Sequence, residues 1–386
     1  MTAIAAWAAL GWWACALALL ALSFVAALLF PWSVRRSRGN ASTAPLTAIV
    51  PVKAVDAGFD TAQASLLQQD YPEFETIIAS RESASPALDA ARAVLARFDE
   101  RPSRVIVATA DQAASPKLNN LWASVEQAQH DLIFTKDSNV RLSPGDLEGF
   151  VHCMDPGVGL VSAMTILVEP RSPAAWVETA VINGHYARLL FLGRALGLGF
   201  GLGKIMLFRR SDLERAGGLA SIAWALGEDS ALSAALIGQG LRTVLADRLT
   251  YQEAGDRTWR DLWNRLLRWK LIWRTQLPGA FVGSLVSSAL LAAGAAALAA
   301  PLLGAAPLVL SAATLASWYA LESLMCAIKG WPLSLRSPLA FLTREILDLL
   351  VWARALTTSE VAWAGATYRS SKSARTHGLA PAGGGR

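Results

Sequence analysis

The sequence predicts an α/β protein: a mostly parallel sheet covered by helices, joined to transmembrane and interfacial helices. Three observations carry this. Between Leu46 and Asp256, short β-rich apolar runs alternate with amphipathic helical stretches. Residues 3–30 carry no charge and residues 278–328 carry only Glu322, and each run is long enough to cross a hydrocarbon core of about 30 Å. The 386 residues are 53% hydrophobic but only 17% charged, against about 25% in a soluble domain.

The elements follow in order. Residues 1–34 form an N-terminal transmembrane anchor. Its start has no positive charge and its apolar run is long for a cleaved signal peptide. Arg35, Arg36 and Arg38 then place the following chain in the cytoplasm by the positive-inside rule. Residues 45–256 form the cytoplasmic α/β domain. The runs LTAIVPV (46–52), FETIIAS (74–80), SRVIVAT (103–109) and DLIFTKD (131–137) read as strands. FDTAQASLLQQD (59–70), SPALDAARAVLARF (85–98) and PKLNNLWASVEQAQ (116–129) read as helices, the second with a Ser-Pro start. Strand–helix–strand alternation with short joins gives parallel strands with helices on both faces, and such sheets bind ligands at the strands' carboxyl ends.

Residues 257–277 form an interfacial helix rich in Trp and Arg. Residues 278–328 form two transmembrane helices, divided by Pro301 and Gly304 to Pro307. Residues 338–356 carry Arg344, Glu345, Asp348 and Arg354, and read as an interfacial or membrane helix. Residues 370–386 are Ser-, Ala- and Gly-rich and read as a disordered tail.

Composition removes several function classes. Cys15, Cys153 and Cys326 lack metal-ligand or CxxC spacing, so a disulfide framework or zinc ribbon is excluded. The net charge of +5 forms no long basic run, so nucleic acid is not an expected partner. No GxSxG or HExxH is present. GLGFGLGK (197–204) fits neither a P-loop nor GxGxxG, and reads as a tight turn or a close backbone approach to substrate. His185 has no second His or Cys nearby to complete a metal site.

Three places have residues suited to chemistry. Asp137 closes an apolar strand, where a carboxylate meets either a diphosphate-bound cation, a sugar hydroxyl or its own turn. Glu228 and Asp229 precede an apolar helical run, suiting either helix capping or a general base. Arg265, Arg268 and Trp269 lie in TWRDLWNRLLRWKLIWRTQLP (258–278), with the arginines on one helical face. They suit either snorkelling at a membrane or a cation pair facing a diphosphate. Trp259, Trp263, Trp269 and Trp273 are spaced to line an interfacial helix.

Together the segments VDAGFDTAQASLLQQDYPEFE (55–75), SPALD (85–89), SPKLNNL (115–121), DLIFTKDSNVRL (131–142), RSDLERAGGL (210–219), GEDSALSAALI (227–237) and RLLRW (265–269) resemble the ceramide glucosyltransferase family. The likeness covers residues 46 to 370. It implies a GT-A-type nucleotide-sugar-binding domain and inverting transfer from a UDP-sugar to a lipid. On this resemblance Asp137 is the second acidic position, near the donor diphosphate and a metal if one binds. Asp229 is the third acidic position and the catalytic base. Arg265, Arg268 and Trp269 are the (Q/R)XXRW motif on the donor side. Lys117 and Asn120 belong to the nucleotide-side loop. His185 falls near the acceptor, with Trp263 and Trp273.

Two departures bear on the substrate. The first acidic position, usually Asp, is Glu82 within SRES, which leaves the donor sugar open among glucose, GlcNAc, galactose and glucuronate. The second is Asp-Ser-Asn rather than Asp-X-Asp, so a divalent cation, Mg²⁺ or Mn²⁺, has one carboxylate there. The expectation is a multi-pass enzyme of a bacterial inner membrane, transferring glucose from UDP-glucose to ceramide. Alternatives are another UDP-sugar or a hopanoid acceptor, a processive polysaccharide synthase, and an inactive adaptor on the same fold.

Overall fold

The computed structural model describes residues 3–33, 43–363, 366–369 and 380–381. Arg35, Arg36 and Arg38, and the tail 370–386 apart from Ala380 and Pro381, lie outside the described residues. The chain divides into an α/β unit (Pro31–Ile166, Leu196–Glu253, Glu360–Arg386) and a helical unit (Met1–Phe30, Leu167–Ala195, Ala254–Ser359).

The α/β unit is built on eight strands: β1 (Leu46–Pro51), β2 (Phe74–Ser80), β3 (Ser103–Val107), β4 (Leu132–Lys136), β5 (Val140–Arg141), β6 (Val158–Pro170), β7 (Ile205–Arg209) and β8 (Arg242–Gly255). Their order across the sheet is β3-β2-β1-β4-β7-β6-β8-β5. The first four are mutually parallel, with Leu46 opposite Phe74 and Leu132, and Thr76 opposite Ser103. They coincide with the four apolar runs of the sequence. Beyond β4 the pairing turns antiparallel: β4 with β7, β7 with β6, and β5 with β8.

The period-2 alternation of strand side chains separates two cores. Leu46, Ala48 and Val50 of β1, Leu132 and Phe134 of β4, and Ile205 and Leu207 of β7 pack with the helices Phe59–Leu67 and Pro86–Leu95. Ile49, Ile133, Met206 and Phe208 pack with the helices Pro116–Glu126 and Glu228–Gly238. Both faces are thus covered, as a parallel sheet requires. Ser115 and Pro116 start their helix as the Ser-Pro pattern predicts, with Ser115 Oγ accepting from Leu118 N at 3.4 Å. Ser85 and Pro86 start theirs too, but the Ser85 hydroxyl makes no cap bond.

The helical unit contains Ala3–Ser33, Pro173–Thr179, a π-helical turn Ala180–Tyr186, Ala187–Ala195, Trp259–Gln276, Pro278–Gly283, Ala289–Ala299, Pro307–Lys329 and Ser337–Thr357. Among the described residues, Ala3–Phe30 and Pro307–Lys329 are long and apolar enough to cross a membrane, and Ala289–Leu303 is apolar but shorter. Gly304 ends that shorter segment at φ 62°.

A charged quartet lies buried in this unit. Glu322, in an otherwise uncharged stretch, meets Arg188 at 3.3 Å and Arg344 at 2.7 Å, and Arg344 also meets Glu345 at 2.6 Å. All four are at most 3% exposed. Ser23, Trp318 and Ser288 add hydrogen bonds to Arg188, Glu322 and Glu345. Removing one partner would strand a buried charge, so the quartet holds as a set.

Phe134 is fully buried and stacks on Phe150 at 5.8 Å between ring centroids. Phe134→Ala is expected to remove about 3–5 kcal/mol of stability. Chemical denaturation of the detergent-solubilised protein, followed by fluorescence, measures this.

Candidate active site

The carboxyl ends of the parallel strands gather the acidic groups. Asp137 follows β4, and its N–H donates to Lys204 O at 3.0 Å. The Asp-Ser-Asn turn after it is held from several sides. Gln63 Nε2 donates to Ser138 O at 2.5 Å, and Asn139 Nδ2 donates to Asp56 Oδ2 at 3.3 Å. Lys136, 1% exposed, donates to Val140 O at 3.1 Å and Asp137 O at 3.3 Å. Burial pushes its amine down to about 7, against the opposing pull of Asp137.

Glu228 and Asp229 open the helix Glu228–Gly238, where the free N–H groups favour negative charge. Asp229 Oδ2 accepts from Gly203 N at 2.7 Å and Oδ1 from Ser230 N at 2.8 Å. Desolvation, and then the neighbouring Glu228 charge, push the Asp229 carboxyl up to about 6. The two N–H bonds and Lys117 act in the opposite direction. Asp229 thus holds its proton to a higher pH than an ordinary aspartate.

Lys117 joins the acidic groups. Its Nζ lies 2.8 Å from Asp137 Oδ1, 3.0 Å from Glu228 Oε1 and 2.7 Å from Gly203 O. Burial works against its charge, but Asp137 and Glu228 outweigh burial and raise its pKa above the usual lysine value. Asn120, one turn further along the same helix, is 5% exposed, and its Nδ2 lies 3.5 Å from Val52 O at the end of β1. Glu82 lies two residues past β2, exposed, with its N–H on Ser80 Oγ at 3.2 Å.

The glycine-rich segment makes close backbone approaches within the chain. A Cβ on Gly199 would fall 1.7 Å from Thr243 O, and one on Gly201 would fall 2.2 Å from Asp229 O. The backbone here runs against other backbone of the chain, which leaves no room for a side chain at either position. The segment is a strap that delivers Gly203 N–H to Asp229 and Gly203 O to Lys117.

The remaining candidates belong to the helical unit. Arg265, Arg268 and Trp269 lie on the helix Trp259–Gln276. Arg265 is 3.0 Å from Glu178 Oε1, and Glu178, fully buried, also meets Arg257 at 3.0 Å. Trp269 and Trp273 flank Tyr186, at ring separations of 5.8 Å and 5.2 Å. His185 packs beside Tyr186, is 5% exposed, and shares a 3.2 Å contact between Nε2 and Ser287 Oγ. Trp263 is half-buried on the same helix, about 120° around it from Trp269. The structure thus brings together Lys117, Asp137 and Asp229 in one unit, and His185, Trp269 and Trp273 in the other. Sequence reasoning preferred Asp229 to Glu228, and did not reveal the contacts of Lys136, Gly201, Gly203 and Glu178. For Glu228 the signal was its place beside Asp229. The others depend on contacts between distant segments.

Among the described residues no group of three or more His, Cys, Asp or Glu side chains is arranged to hold a metal ion. Asp137 brings one carboxylate, and Lys117 engages it. The residues present suit an ammonium at this point better than a divalent ion.

A sheet of four parallel strands extended by antiparallel ones, with acidic groups at the strand ends, defines an α/β protein whose ligand site lies at the carboxyl ends of the strands. The sequence profile of glycosyl transferase family 21 matches residues 13–376, and the chain belongs to that family. Ceramide glucosyltransferase 1 of Caenorhabditis elegans is 20% identical over 226 residues, covering 58% of this chain and 48% of that protein. The ceramide glucosyltransferase of Komagataella phaffii is 25% identical over 251 residues, covering 54% and 49% respectively. The chain spans about half the length of these curated relatives. Among solved structures, a mannosyltransferase from Pyrobaculum calidifontis in complex with GDP-mannose and Mn²⁺ aligns with a TM-score of 0.49 at 19% identity, covering 89% of this chain and 99% of that one.

Gly201→Ala is expected to push the strap off Asp229 and lower glycosyl transfer by about 10²-fold, the usual cost of a misplacement of about 1 Å. Gly238→Ala, where a Cβ meets nothing within 4 Å, should leave turnover and melting temperature unchanged. Product formation and thermal melting of both variants check this.

Proposed function

We propose that this family 21 glycosyltransferase transfers glucose from UDP-glucose to the primary hydroxyl of ceramide, with inversion to the β-glucoside. The observation that supports it most directly is the Asp229 carboxylate. It is held by Gly203 and Ser230 and tuned close to neutral pH, beside a cation-lined strand edge. In this reading Asp229 takes the proton from the acceptor hydroxyl as its oxygen attacks the anomeric carbon opposite the leaving diphosphate. The ionised form is the active one. Oriented approach and a positioned base are each worth orders of magnitude. Lys117 and Asp137 face the donor phosphates, with Asn120 and Glu82 towards the nucleoside.

The reading assigns Arg265, Arg268 and Trp269 to the diphosphate side, and His185, Trp263 and Trp273 to the lipid acceptor. Arg265 would then act with Glu178 as its resting partner. Ala3–Phe30 and Pro307–Lys329 would cross the membrane, with the α/β unit on the cytoplasmic side of a bacterial inner membrane. Ceramide is taken from the names of the relatives, and a membrane-embedded unit rich in Trp suits any such lipid alcohol. Glu82 supports a second reading: its longer side chain at the nucleotide end suits transfer of another UDP-sugar, such as GlcNAc, galactose or glucuronate, or transfer to a hopanoid.

Asp229→Asn is expected to retain UDP-glucose binding while transfer falls about 10²–10⁴-fold. Near-normal turnover would remove Asp229 from the role of base. Because the base must be deprotonated, kcat/KM of the wild type should rise with pH through about 6 and level off above it. Product masses from a panel of UDP-sugars with ceramide or hopanoid decide between the two readings.

A further inference from the structure

Building on the donor reading above, we propose that Lys117 is the resident cation of the donor site, standing where a divalent metal would otherwise bridge Asp137 and Glu228. An ammonium has three N–H bonds and no acceptor. Lys117 Nζ has three oxygen partners, Asp137 Oδ1 at 2.8 Å, Glu228 Oε1 at 3.0 Å and Gly203 O at 2.7 Å. Its hydrogen-bonding capacity is therefore filled. The three oxygens come from three separated parts of the chain: the end of β4, the first turn of a helix, and the glycine strap before β7. A point enclosed by two carboxylates and a carbonyl is a cation position by its chemistry alone.

The spacing is that of an ammonium. A small ion such as Mg²⁺ draws its oxygens to about 2.0–2.1 Å and demands near-octahedral geometry. Here the point between Asp137, Glu228 and the Gly203 carbonyl is filled by the Lys117 ammonium itself. Lys117 is also placed rather than adventitious. It is the second residue of the helix Pro116–Glu126, whose start is fixed by Ser115 and Pro116, and only 22% of its side chain is exposed. Facing a diphosphate, its ammonium exchanges one carboxylate partner for a phosphate oxygen, and no ion from solution is needed. Lys117 thus provides the positive charge for donor binding, and metal independence of that binding follows.

The test is calorimetric titration of UDP into the full-length, detergent-solubilised protein, in EDTA and in Mn²⁺, with Mn²⁺ binding followed separately by electron paramagnetic resonance. The wild type should bind UDP in EDTA with a Kd within about threefold of that in Mn²⁺. It should bind no stoichiometric Mn²⁺ by itself. Lys117→Met keeps the apolar stem and frees two carboxylates. It should weaken UDP binding in EDTA by about tenfold or more, and gain a Mn²⁺ signal. Lys117→Arg should retain metal-free UDP binding. The proposal is overturned if wild-type UDP binding vanishes in EDTA and returns with Mn²⁺. Should the Met variant fail to fold, by circular dichroism, the wild-type comparison alone decides. A wild type that binds UDP under neither condition overturns the donor reading, and this proposal with it.

Discussion

Alternate residues of β1, β4 and β7 feed two separate apolar cores, and this division dictates where polar groups of the α/β unit can stand. With helices on both faces, neither face has room for an unpaired charge. Carboxylates are tolerated where the strands end, the chain turns, and N–H groups and water are within reach. Asp137 at the end of β4, Glu82 past β2 and the Glu228–Asp229 pair at a helix start all obey this constraint. These carboxylates lie at the strand ends because burial of the sheet's two faces excludes unpaired charge there.

Crowding acids at one edge creates a second requirement. Adjacent carboxylates raise each other's pKa, and Asp229 shows this effect from Glu228. Lys117 limits it by sitting against Asp137 and Glu228, while the strap supplies an N–H to Asp229 without adding charge. A side chain on Gly201 would displace the strap, so the small residues there serve the acid's position rather than any flexibility. One backbone segment, through the N–H and carbonyl of a single residue, thereby orients both the Asp229 carboxylate and the Lys117 ammonium.

The parallel half of the fold was legible because its signals are local. Each strand of that half is a short apolar run bounded by turn residues, and Ser-Pro marks two helix starts. The antiparallel half was not legible. β8 runs through 14 residues of mixed pattern, and a run such as that of β6 cannot be told from a buried helix by periodicity. At the site, Asp137 and Asp229 were visible as carboxylates at element ends. The contacts that give them properties, Lys117 with Asp137 and Gly203 with Asp229, join segments far apart in the chain. GLGFGLGK shows the same limit: its glycines approach Thr243 and Asp229, which nothing in the octapeptide reveals. Arg265 was visible as a cation on an interfacial helix, but Glu178, its buried partner, was not.

The buried quartet has a bearing on how the polypeptide is made. Arg188 emerges from the ribosome 134 residues before Glu322, and an arginine with 1% of its side chain exposed cannot settle there without its counter-ion. Arg344 arrives later, covalently next to Glu345, so that couple brings its own neutrality. The helix that carries Arg188 can therefore take up its buried place only once Glu322, 134 residues later, has been made. The quartet closes only after its last members, Arg344 and Glu345, have been made.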